Sequence, residues 1–230
     1  MLEVVVLVAL IACAAAEVLD FSKLGAIAGL SDLKTQQHNG ALLNKTLNAL
    51  KTGDTFVVPN VTFSVMGGIL VTTHLKGVTF QLDGTLSYSS DREHWPREGG
   101  KDGHVLECMN FEYIEDFTFT SSGGQDNRGT FDGNGQVWWG AVKYLLHGED
   151  RPRLLRFQKS KNVLFEKIRL IDSPFWTFWA QNCDGLEVRH AEIDVRWDQK
   201  DEHSYVDLQA FNTDGFDVTG QYVTKGNDRG

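Results

Sequence analysis

The sequence carries no excess of positive charge. Lys and Arg total 22 against 31 Asp and Glu, a formal charge of −9 over 230 residues, and no long Lys/Arg run occurs. That argues against nucleic acid as a partner, because phosphate binding needs a basic stripe. Metal-ligand spacing is also missing. The seven histidines are scattered, and none pairs with a Cys as a metal site requires, so neither a metal nor a cofactor is expected. The apolar run at the N-terminus is too short for a membrane span of about 20 residues, and no stable membrane anchor is expected. Cysteine is scarce, with three in the chain. Helical patterning is scarcer still.

What is present begins with a leader. Residues Met1–Ala16 are apolar and then small, and Ala14 and Ala16 fit the A-x-A rule for cleavage before Glu17. The n-region holds Glu3 and no cation, so a buried N-terminal strand is the alternative. Residues 1–16 read as a signal peptide, and the mature protein is expected to be secreted. Cleavage leaves Cys108 and Cys183, which are either a disulfide pair or two buried free thiols. Asn44-Lys45-Thr46 and Asn60-Val61-Thr62 match the glycosylation sequon.

From Asn39 to Lys51 the apolar residues form a rough helical pattern, with Asn39 as N-cap and Gly53 past the end. Short β-rich pieces follow: Thr55–Val58, Val61–Val65, Gly68–Thr72, Val78–Leu82, Phe117–Thr120 and Leu154–Phe157. Gly, Asn and Asp turns separate most of them. Internal repetition is the more informative signal. Val163, Phe165, Ile168 and Leu170 align with Leu186, Val188, Ala191 and Ile193 at an offset of 23, and Phe117 and Phe119 precede Val163 and Phe165 by 46. A period in the low twenties, on strands too short to bury a face alone, marks a stacked coil. The alternative, a β-sandwich, requires no fixed offset. The expected fold is therefore an all-β parallel β-helix, with the early helix covering one open end of its core.

Two motifs point to a family. Gly129-Thr-Phe-Asp132-Gly-Asn134-Gly-Gln-Val-Trp138-Trp139 resembles the "G-T-x-D-G-N-G…W-W" stretch of glycoside hydrolase family 28, the polygalacturonase family. Asn212-Thr213-Asp214-Gly215-Phe216-Asp217 resembles its "N-T-D-G-x-D", and Asn162-Val163 with Ser173-Pro174-Phe175-Trp176 follow the rung between them. The resemblance runs from about Gly40 to Val218. It implies a right-handed parallel β-helix of the pectin lyase-like kind and hydrolysis of α-1,4-galacturonan or a related pectin with inversion. Pectin or polygalacturonate is then the expected partner. Inversion needs an acid to protonate the leaving oxygen and a carboxylate base to activate water. The resemblance assigns the base role to Asp214. Asp217 and Asn212 are expected to be structural, as are Asp132 and Asn134 in their Gly-rich turn. Trp138, Trp139, Trp176, Phe178 and Trp179 are expected to pack.

The family's pattern continues with an Asp pair about one coil later, then a Gly-His-Gly and an Arg-x-Lys, and none of these is matched. Asn227-Asp228 lies only 14 residues after Asp214, and His147-Gly148 lies before it. Residues 17–230 thus read as a single β-helix domain incomplete at its C-terminus. Loss of a general acid costs about 10²–10⁴ in rate, or about 3–5 kcal/mol, so the chain as written is expected to be nearly inactive. A non-catalytic polysaccharide-binding β-helix is the alternative. A calcium-dependent pectin lyase ranks last, for want of an acidic ligand cluster.

Overall fold

The computed structural model describes residues 15–124, 127–139, 150–195, 210 and 212–222. The chain runs β1 (Val18–Asp20), α1 (Leu33–Ala49), β2 (Thr55–Val58), β3 (Thr62–Val65), β4 (Ile69–Val71), β5 (Thr79–Leu82), β6 (Thr85–Tyr88), β7 (Met109–Glu112) and β8 (Glu115–Thr120). It continues with β9 (Gly129–Asp132), β10 (Leu155–Gln158), β11 (Lys161–Glu166), β12 (Ile168–Ile171), β13 (Phe178–Arg189), β14 (Glu192–Asp194) and β15 (Phe216–Tyr222). Every pairing between these strands is parallel. A β-sandwich is thereby ruled out.

The fold is a right-handed parallel β-helix. A ten-stranded sheet bends along β13. Its first arm stacks β4, β7, β10, the start of β13 and β15, and its second stacks β1, β2, β5, β8, β11 and the rest of β13. A five-stranded sheet of β3, β6, β9, β12 and β14 closes the coil. The register reproduces the sequence offsets: Val163 pairs with Leu186, Phe165 with Val188 and Leu170 with Ile193, while Phe117 and Phe119 pair with Val163 and Phe165.

Adjacent strands in a parallel sheet lie about 4.8 Å apart, so inward side chains at equivalent positions must touch. In the second arm Phe56, Phe80, Phe119 and Phe165 follow one another at centroid spacings of 5.2, 5.5 and 5.7 Å. In the first arm Phe111 and Phe157 are register partners at 5.6 Å and Phe178 and Phe216 at 5.4 Å, while Phe157 meets Phe178 diagonally at 5.0 Å, because Phe178 pairs with Leu155 and Phe157 with Ala180. Such aromatic contacts contribute beyond their buried area. The turns between arms repeat too. Tyr113, Lys159 and Asn182 occupy one left-handed column, and Asp116, Asn162 and Gly185 another. A Cβ on Gly185 would meet Asn162 Oδ1 at 2.7 Å.

The capping helix exists, but it begins earlier than expected. Asp32 is the N-cap, accepting from Thr35 N at 3.0 Å. Asn39 lies inside the helix, fully buried. Its Oδ1 accepts from Ile27 N, and its Nδ2 donates to the carbonyls of Ile27 and Ser64. Tertiary demand placed this Asn, and a local capping rule misread it. Gly40 lets the helix backbone approach Met66, whose carbonyl oxygen would lie 2.5 Å from a Cβ there. Two helix side chains also finish the free edge of β4. Asn44 Oδ1 accepts from Leu70 N at 2.9 Å, Asn48 Nδ2 donates to Leu70 O at 2.8 Å, and Asn48 Oδ1 accepts from Thr72 N at 3.3 Å. These amides stand in for the missing neighbouring strand.

Cys108 and Cys183 are free and buried, which settles the disulfide question against pairing. Burial pushes both thiols above their ordinary value.

Asn48→Ala should lower stability by about 1–2 kcal/mol, the worth of two partly exposed hydrogen bonds. Urea unfolding measures it, and an unchanged midpoint would mean that water caps the edge equally well. A second expectation concerns Glu166, which accepts from Arg189 Nε at 2.7 Å and Thr120 Oγ1 at 3.1 Å. Burial works to raise its pKa, but these bonds outweigh it and hold the carboxyl below the ordinary 4.5. A depressed carboxylate stabilises the fold above its unfolded-state pKa, and this is lost as pH falls through the folded one. Below about pH 4.5, the wild-type Tm should therefore fall more steeply than that of Glu166→Gln. Parallel curves would contradict this.

Candidate functional site

The outer face of the first arm is where the coil presents polar groups in columns. Backbone bonds extend the ladder one residue below the strands: Cys108 N to Arg153 O, Leu154 N to Trp176 O and Thr177 N to Asp214 O. Glu107, Arg153, Trp176 and Asp214 therefore occupy equivalent positions on four successive coils. A second outward column follows from the strand register, with Asn110, Arg156, Trp179 and Asp217 in line. A third holds Glu112, Gln158, Gln181 and Thr219.

These columns interlock. Arg153 Nη1 donates to Glu107 Oε1 at 2.9 Å, and Arg153 N donates to Glu107 Oε2 at 2.7 Å. Arg156 lies 3.6 Å from the same carboxylate, so two guanidinium groups share Glu107. The Arg153 guanidinium sits 4.7 Å from the Trp176 ring and 4.2 Å from Trp179, and that of Arg156 sits 4.1 Å from Trp179. Burial draws Arg156 down from its ordinary value. Glu112 Oε1 accepts from Gln158 and Asn110 at 2.8 and 3.1 Å. Phe178 faces the core as expected, whereas Trp176 and Trp179 are half-buried on the outer face beneath the arginines.

Asp214 is exposed, in a turn that the buried interior holds. Asn212 is left-handed, and Thr213 Oγ1 donates to Ala210 O at 2.8 Å. The Thr213 carbonyl accepts from Thr177 Oγ1 at 3.2 Å, and that hydroxyl is itself 2.7 Å from Ser173 Oγ. Ser173 and Thr177 are fully buried. Asp217 shares a column with Arg156 and Trp179, away from the core.

The Gly-rich motif lies elsewhere, against the next coil. A Cβ on Gly133 or Gly135 would meet the Asp172 carbonyl at 2.5 or 2.6 Å. Asn134 is left-handed, and its Nδ2 donates to Ser87 Oγ and Tyr88 O. Asp132 accepts from Asn134 N at 3.0 Å, and burial raises its pKa. Trp139 Nε1 donates to Ser173 O at 3.0 Å, and Trp138 packs edge-on against Trp95. The motif thus clamps the Ser173 turn and lies apart from the outer columns. Residues His147-Gly148 and Asn227-Asp228 lie outside the described residues. Among the described residues no three His, Cys, Asp or Glu side chains are placed as metal ligands.

The family model described as Glycosyl hydrolases family 28 matches residues 50–225. The chain belongs to that family. An exopolygalacturonase of Cochliobolus carbonum is 29% identical over 183 residues, covering 75% of this chain and 36% of that protein. A probable exopolygalacturonase X of Neosartorya fischeri is 31% identical over 161 residues, covering 66% and 32%. The chain therefore spans about a third of the length of these relatives. Among solved structures, the endo-xylogalacturonan hydrolase of Aspergillus tubingensis superposes with a TM-score of 0.64 at 21% identity, covering 87% of this chain and 47% of that one. The polygalacturonase of Erwinia carotovora gives 0.52 at 16%, covering 79% and 57%. These two likenesses concern the fold.

Within the family 28 fold, Glu107, Arg153 and Arg156 escaped motif reading. The offsets of 46 and 23 that align the cores also align Glu107 with Arg153 and Trp176, and Asn110 with Arg156 and Trp179. Following the polar positions as well as the apolar ones would have found them.

Thr177→Val removes the hydroxyl between Ser173 and Thr213 and leaves a buried hydroxyl unpaired. The expected destabilisation is about 1–3 kcal/mol, read by urea unfolding. A neutral result would mean that the Asn212–Gly215 turn does not depend on this pair.

Proposed function

We propose that these coils belong to a secreted inverting glycosidase that cuts α-1,4-galacturonan, with Asp214 as the carboxylate that activates water. The observation that carries the reading is the placement of Asp214, exposed on a turn anchored in the core and directly above the Trp176–Arg153–Glu107 column. An exposed carboxylate on a rigid support has the mobility and solvent access a base needs. The two arginines that share Glu107 support an acidic polymer, because guanidinium is suited to carboxylate recognition. Family membership and the exopolygalacturonase relatives support the same substrate class.

On this reading the sugar chain lies along the outer face of the first arm. Water is activated by Asp214 on the face of the ring opposite the leaving oxygen, and the proton for that oxygen comes from a second carboxylic acid. The sequence through Gly230 offers no match to the family's acid pair. Residues 1–16 serve as a secretion leader.

Reducing-end release from polygalacturonate by the complete gene product should fall about 10²–10⁴-fold in Asp214→Asn, with unchanged unfolding. Equal release by both proteins would remove Asp214 from the chemistry. Retention of the polymer without release by the wild type would favour a polysaccharide-binding β-helix.

A further inference from the structure

The two glycosylation sequons stand in opposite environments. Asn44-Lys45-Thr46 lies in α1, within the seam between the helix and β4. Asn44 Oδ1 accepts from Leu70 N at 2.9 Å and from Asn48 Nδ2 at 3.3 Å, and Thr46 is 8% exposed. The carboxamide is therefore held on the edge of β4 through its oxygen, and the hydroxyl two residues on is buried. Helical backbone also keeps these two side chains from meeting in the turn that presents an acceptor asparagine.

Asn60-Val61-Thr62 forms the corner between β2 and β3. All three residues are exposed, with Val61 at 46%. Neither the Asn60 amide nor the Thr62 hydroxyl makes a side-chain hydrogen bond among the described residues. The backbone here is already a tight bend, with Val61 N donating to Pro59 O at 2.6 Å. This corner joins the second arm to the five-stranded sheet. The outer face of the first arm, which carries Asp214, is a different side of the coil, so a bulky group at Asn60 leaves that face open.

We propose that Asn60 is the N-glycan acceptor of this protein and that Asn44 is left unmodified. The donor is an oligosaccharide carried on a lipid diphosphate. Asn60 Nδ2 forms a bond to C1 of the first sugar, the bond from C1 to the diphosphate oxygen breaks, and the amide loses one proton. The lipid diphosphate departs with the bonding pair. The inference rests on the secretion reading, since the transfer takes place in the secretory pathway.

The test is expression in a eukaryotic secreting host, once with residues 1–16 and once with a foreign leader in their place. Peptide mapping before and after N-glycosidase treatment reads both sites in the wild type, because each released glycan converts its Asn to Asp. The expected result is a glycan at Asn60 alone, lost in Asn60→Gln and in Thr62→Ala. A glycan at Asn44, or an unmodified Asn60 in protein secreted by the foreign leader, would overturn the proposal. Modification under the foreign leader, combined with cellular retention under the native one, would sink the secretion reading and leave the Asn60 assignment standing.

Discussion

The contact on which the rest depends is the stacking of one phenylalanine on the next along the coil axis. Parallel strands fix that spacing near 4.8 Å, and the ring-to-ring distances of 5.2–5.7 Å in the Phe56–Phe165 column and of 5.6 and 5.4 Å in the Phe111–Phe157 and Phe178–Phe216 pairs follow from it. A ladder of this kind tolerates no slip. A shift of one residue would turn the whole phenylalanine set toward solvent. Register is therefore the most strongly specified property of the chain, and everything placed outside the coil inherits its position from it.

That dependence explains what could be read in advance. Apolar alternation with offsets of 23 and 46 gave the pairing of Val163 with Leu186 and of Phe117 with Val163, because those positions are inward and chemically uniform. The outward positions obey the same register but hold Glu, Asn, Arg, Gln and Trp in turn, so a search for like residues passes over them. Arg153 and Arg156 were invisible to it for that reason alone. Asp214 was legible through its motif, and its support by Thr177 and Ser173 was not, since a buried hydroxyl pair leaves no periodic trace. Asn39 failed in the opposite sense. Its type suits a helix start, but the carbonyls of Ile27 and Ser64 captured its amide inside the helix.

A parallel ladder also creates a problem at its beginning, where the first strand of each arm has nothing beneath it. The helix α1 meets it twice over. Leu43, Leu47 and Leu50 cover the apolar end of the core, and the carboxamides of Asn44 and Asn48 satisfy the backbone of Leu70 and Thr72. A carboxamide carries both a donor and an acceptor, as a peptide group does. Two of them one helical turn apart can therefore imitate a short stretch of strand. The same use of Asn44 fixes its carboxamide against the strand edge, whereas the Asn60 side chain makes no hydrogen bond among the described residues.

The connections differ in kind on the two sides of the first arm. Between the first and second arms three successive coils turn on one left-handed residue, Tyr113, Lys159 or Asn182, at equal length, and β15 is one residue shorter at that turn. The connections that return to the first arm are unequal: they arrive at Glu107 after β6, at Arg153 after β9 and at Asp214 after β14 by long routes, and at Trp176 after β12 by only four residues, 172–175. Each delivers its last residue to the same column, whatever its length. Arg97 and Asp150 join two of them through paired bonds of 2.8 Å. Chemistry can thus be altered on that side without disturbing the phenylalanine stack, whereas an insertion on the other side would break the register of two arms at once. On the proposed reading, a carboxylate that must be both exposed and accurately placed has one good location on such a scaffold: the end of a long return connection, two residues before the strand resumes. Asp214 stands there.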